Sequence, residues 1–83
     1  MQIFESAYRH GLADEDIWHA WQHALGFYDI DIENEPAKSL CIGPDRVGNL
    51  LELLYLQATE QDLVIHAMPL RPAFRTYLTG ERP

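Results

Sequence analysis

The amino-acid sequence predicts an α+β domain: an antiparallel four-stranded sheet with two N-terminal helices and one short C-terminal helix. Three observations lead there. Residues 14–25 repeat apolar side chains at the helical period, with Ile17, Trp18, Ala20, Trp21, Ala24 and Leu25 in one arc. Four apolar or alternating segments follow between residues 27 and 68, separated by short turns. Consecutive strands joined by short turns pair as an antiparallel meander, and helices placed before and after it must cover the sheet.

Taken in order, Phe4 to His10 reads as a first short helix ended by Gly11, a residue suited to the left-handed position after a helix. Asp14-Glu15-Asp16 opens the second, with three acids at the positive end of the helix dipole. Glu15, Asp16, His19, Gln22 and His23 form its polar face, and Gly26 stops it. Phe27 to Ile32 alternates: Phe27, Asp29 and Asp31 on one side, Tyr28, Ile30 and Ile32 on the other. After a turn at Asn34-Glu35-Pro36 comes a second strand, Ser39 to Ile42. Gly43 to Asn49 carries turn chemistry throughout, with Gly48 suited to a bulge. Leu50 to Leu56 is almost wholly apolar and reads as a central strand covered on both faces. Leu63 to Met68 is the fourth strand, with His66 on the side of Val64 and Met68. Pro72 starts the last helix at its first position, and Phe74, Tyr77 and Leu78 form its apolar side.

The 83 residues support one domain, 1–83. A chain this short withdraws only roughly 60% of its unfolded surface from water, so its stability is thin. Cys41 is the only cysteine, which excludes an internal disulfide and leaves little for a cysteine-based zinc site. Nothing approaches a membrane span or a signal peptide, so a cytoplasmic protein is expected. The net charge of −7 argues against nucleic acid as a whole-chain property, since phosphate binding rests on Lys and Arg. It is unevenly spread. Residues 1–36 hold eight acids against Arg9 alone, while residues 37–83 hold five of each sign.

Several groups carry candidate chemistry. His19 and His23 have the i, i+4 spacing of a two-histidine metal site, but they lack the intervening Glu of a metalloprotease helix and read as surface residues. No metal or cofactor is implied. His66, on a strand beside apolar neighbours, has the pattern of a satisfied structural histidine, and is the natural acid–base candidate if it lines a cleft. Arg71 and Arg75, four apart, read either as a pair that clamps a phosphate and stabilises charge developing on it or as two surface arginines answering the acidic half of the domain. Arg46 stands at a hairpin tip, and Arg9 with His10 forms a basic pair at a helix end.

Arg9-His10-Gly11-Leu12 followed by Glu15-Asp16-Ile17 resembles the KHGVS-x-E-E segment of BrnT-type toxins. The order of elements is similar as well: an amphipathic helix, an acidic strand, a strand ending in Ile42-Gly43, a long apolar strand, then Val64-Ile65-His66-Ala67 leading to Arg71-Pro72 and Arg75-Thr76-Tyr77. The resemblance spans about residues 4–78. It implies a RelE-like fold and a metal-independent ribonuclease of a type II toxin–antitoxin module, cleaving RNA by attack of the 2′-OH. It further implies a DNA-binding antitoxin as partner, in a hetero-oligomer or beside a homo-oligomer. Carried over by position, it assigns catalysis to His66, Arg71, Arg75 and Tyr77 and RNA binding to Arg9, His10 and Arg46. The chain departs from the family in having Ala13 where a capping Ser is usual, a reduced or missing leading strand, and Met68-Pro69-Leu70 ahead of Arg71. The acidic first half suggests the alternative of a catalytically inactive, toxin-like module that binds a basic protein.

Overall fold

A computed structural model describes residues 1–33 and 36–80. The expected turn at Asn34-Glu35-Pro36 lies largely outside them. Among the described residues the chain forms strand β1 (Gln2–Ile3), a 3-10 turn (Glu5–Tyr8), helix α1 (Asp14–Gln22), strands β2 (Gly26–Asp31), β3 (Lys38–Pro44), β4 (Leu50–Gln57) and β5 (Asp62–Pro69), and helix α2 (Pro72–Thr79). The sheet runs β1-β5-β4-β3-β2.

This corrects the expected class. The sheet has five strands and is mixed: β1 lies parallel to β5, with Gln2 beside Leu63 and Ile3 beside Val64. The Phe4 N–H extends the pairing to Val64 O at 2.9 Å. A parallel neighbour needs a crossover rather than a hairpin, and here the entire chain between the two strands supplies it. Among the described residues there are two helices, not three. The segment expected as the first helix is a 3-10 turn of four residues, closed off by Gly11 at φ +80°. So short a stretch gives an α-helix too few hydrogen bonds to offset its nucleation, and the tighter turn takes its place.

The meander β2–β5 is as expected in order and antiparallel sense, with β4 at the centre. Leu51, Leu53 and Tyr55 of β4 point to one face, where they join Ile17 and Ala20 of α1, Ala7 of the turn, Cys41, Val64 and Ala67. Leu50 and Leu54 point to the other, where Leu40, Ile42, Leu70 and the α2 side chains Phe74, Tyr77 and Leu78 form a second core. The solid apolar run of β4 thus reflects burial on both faces.

Two bulges reset the alternation read from sequence. Tyr55 pairs with Val64 but Leu54 with His66, so Ile65 is the extra residue. Val64 therefore belongs to the α1 face while His66 shares the α2 face with Leu54; they do not lie on one side as expected. In β2, Asp29 pairs with Ser39 and Asp31 with Lys38. Asp31 consequently sits beside Lys38 rather than in line with Phe27 and Asp29.

Helix α1 begins after Ala13, which offers no capping side chain. Asp14 is the first residue of the helix, and its carboxylate accepts the Tyr8 hydroxyl. That hydrogen bond, with some burial and the carboxylate's charge, pushes the Tyr8 phenol up to about 12. The helix ends at Gln22, and Gly26 opens β2 instead of stopping the helix.

Candidate functional site

At the start of α2 the chain gathers polar side chains from four separate segments on the β5 side of the sheet. Glu52 is the centre. It is the one acid in the apolar β4, and the strand's alternation turns it toward the α2 face, where it is 0% exposed. Arg71 adjoins α2 at its N-terminal end in extended conformation. Its backbone N–H donates to Glu52 Oε1 at 2.9 Å, and its guanidinium donates through Nε and NH2, the latter to Oε2 at 2.7 Å. His66 Nε2 donates to Oε2 at 3.0 Å.

Burial alone would push the Glu52 carboxyl up. The hydrogen bonds from the Arg71 side chain and backbone and from His66 outweigh it and hold the group below the usual carboxylate range. The same hydrogen bond raises Arg71. An ionised carboxylate only accepts, so His66 must carry its proton on Nε2, and in the neutral ring Nδ1 keeps the lone pair. The His66 side chain is 22% exposed and that of Arg71 49%, so both reach solvent while Glu52 does not.

The fourth segment follows the 3-10 turn. The turn lies along β5 past the end of β1, with Ser6 Oγ donating to Ile65 O at 2.7 Å. This brings the His10 ring edge-on to His66, centroids 5.3 Å apart. Arg9, the residue before, is exposed.

Of the residues singled out from sequence, His10, His66 and Arg71 come together, with Arg9 adjoining. The others do not join them. Arg71 precedes the helix and is turned onto Glu52, while Arg75 is exposed on α2. Tyr77 packs against Tyr28 and Phe74. Arg46 sits beside α1. Its Nε donates to Asp16 Oδ1 at 2.8 Å and its backbone N–H to the same atom at 3.0 Å, clamping the β3–β4 hairpin to the helix. His19 and His23 stack at 4.0 Å, each donating Nδ1 to a backbone carbonyl, that of Pro44 and that of His19. No group of three or more metal-ligating side chains occurs among the described residues. Cys41 is buried, and its thiol is pushed up to about 12 by desolvation, which makes it a poor nucleophile.

Comparison with known proteins finds no significant match to a family model, a curated protein or a solved structure. The functional reading therefore rests on the cluster itself. Glu52 was missed as a site residue from sequence. Its signal was a single charge within Leu50-Leu51-Glu52-Leu53-Leu54, because a carboxylate in a strand buried on both faces must have a partner. No described helix is long and apolar enough to cross a membrane.

Proposed function

We propose that the chain is a metal-independent ribonuclease of the toxin type, acting at His10, His66 and Arg71 and restrained by an antitoxin protein. The observation that carries this reading is the convergence of two imidazoles, a guanidinium and a buried carboxylate from four segments. RNA cleavage by its own 2′-OH needs a base for that hydroxyl, an acid for the departing 5′-oxygen and positive charge on the phosphate. His66 takes the 2′-OH proton at Nδ1, since Nε2 is committed to Glu52. His10, beside it, protonates the leaving oxygen. Arg71 donates to Glu52 through Nε and NH2, which leaves NH1 for a phosphate oxygen. Glu52 touches no substrate; it holds the imidazole by Nε2 and fixes its tautomer and orientation, as the third member of a catalytic triad does. Arg9 holds a flanking phosphate. Tyr77 and Arg46, engaged elsewhere, have no part in this scheme, and Arg75 is left to outlying backbone contacts.

The test is cleavage of a defined RNA by the purified chain in excess chelator, beside His66→Ala and Arg71→Ala. Wild type should yield 2′,3′-cyclic phosphate ends, and the loss of His66 should slow cleavage about 10²-fold or more. Intact RNA with wild type, together with unchanged growth on induced expression, would rule the reading out. The acidic first half would then favour the alternative, a non-catalytic module that binds a basic protein.

A further inference from the structure

The edge of the sheet opposite the cluster is built to receive another strand. β2 is the last strand in the order, and one row of its backbone N–H and C=O groups has no strand partner among the described residues. The edge is guarded by two exposed acids, Asp29 and Asp31, and by the bulge at Ile30, but it has no proline and large side chains stand beside it. On the α1 face Phe27 is 51% exposed although it contacts Trp21 and Tyr55 edge-on at 5.1 and 6.0 Å, so a half-covered aromatic corner lies at the rim. Next on that face is Asp29, exposed, with Ser39 Oγ and Gln57 Nε2 both donating to Oδ1 at 3.1 Å. Neither partner is a cation. On the α2 face Tyr28 and Ile30 are half-buried and extend the second core to the rim.

We propose that β2 docks an extended, basic segment of a protein partner, added to the sheet as a sixth strand. Period-two alternation sets its chemistry. Residues over Tyr28 and Ile30 would be aliphatic. On the other face an apolar residue would cover Phe27, and a Lys or Arg two positions along would meet Asp29. A second copy of this chain fits poorly, because antiparallel pairing of β2 with itself brings two Asp29 carboxylates together on one face, and like charges across strands destabilise. RNA is disfavoured by the same charge. The inference does not depend on RNA cleavage, since the surface lies across the sheet from His66.

The probe is a synthetic peptide alternating Val with Lys and carrying one Leu placed to meet Phe27. Its control has Glu for each Lys. Titration of the full chain is followed by backbone amide shifts and hydrogen exchange. The basic peptide should shift and protect the amides of residues 26–31. Asp29→Lys should weaken it about tenfold, with the fold intact by circular dichroism. Equal binding of the acidic control, shifts centred elsewhere, or no protection of β2 at millimolar peptide would each overturn the proposal. So would a homodimer in light scattering that Tyr28→Pro dissolves, since that outcome assigns the edge to a second copy.

Discussion

Glu52 sets the energetics of its neighbourhood because a buried carboxylate is costly unless every lone pair is used. Arg71 and His66 supply those bonds, and the folded-state pKa falls below its unfolded value. A depressed carboxylate pKa contributes stability that is fully present above the unfolded pKa, about 4.3, and disappears as pH falls through the folded one. Glu52→Gln should therefore be less stable than wild type near pH 7 by on the order of 2 kcal/mol. That figure lies below the range for breaking a fully buried pair, because half-exposed Arg71 can turn to water. The gap should narrow steadily below pH 4. Urea denaturation across that range measures it, and a gap constant with pH would show that packing rather than charge accounts for the loss. At this scale the sequence was partly legible. His66 and Arg71 stand out as residue types, and a lone Glu amid leucines is visible by inspection. Their meeting was not, because it depends on the Ile65 bulge, which changes the face on which His66 emerges.

The elements most secure from sequence are those whose patterns report burial directly: the amphipathic arc of α1 and the solid apolar run of β4. Less legible were features decided by backbone geometry. Whether Phe4 to His10 forms a helix turns on chain length before Gly11, and whether Asp31 lines up with Asp29 turns on a bulge at Ile30. Gly43 belongs with these. It reads as turn chemistry, yet it lies in β3 directly beneath α1, and a Cβ built there would stand 2.0 Å from Ala20 O. Backbone lies on both sides of that contact, so no side chain can swing away to relieve it. Gly43→Ala should lift α1 from the sheet at a cost of about 2–3 kcal/mol, the upper part of the range for overpacking a tight core. A drop in Tm of roughly 10 °C or more should follow for a domain of this size. The same substitution at Gly48, where open space surrounds the missing Cβ, meets only the strain of φ +97° and should cost less. Equal losses at the two sites would show that helix–strand contact is not what selects glycine at residue 43.

Across the molecule, the charge that first argues against nucleic acid becomes a polarity. Acids of the first half crowd the start of α1 and the β2 edge, while Arg9, His10, His66 and Arg71 share the β5 side. A net −7 within a radius of gyration of 11.9 Å places uncompensated charges within mutual reach, and its effect competes with the ion pairs. Distance decides which responds to salt. Between about 0.01 M and about 1 M the Debye length shrinks from about 30 Å to about 3 Å. That change removes repulsion acting across the molecule. It barely reaches the contacts of Arg71 with Glu52 at 2.7 Å and Arg46 with Asp16 at 2.8 Å. Added sodium chloride should therefore raise Tm by several degrees, against the usual weakening of surface pairs. General salting effects would raise it as well, so the control is Glu5→Gln with Glu33→Gln, two exposed acids whose loss reduces the excess without touching either pair. If repulsion is the cause, the double variant starts with a higher Tm in low salt and gains less from added salt. If both proteins rise in parallel, the acidic excess does not limit stability. A fall in Tm with salt would mean that the two arginine pairs outweigh it.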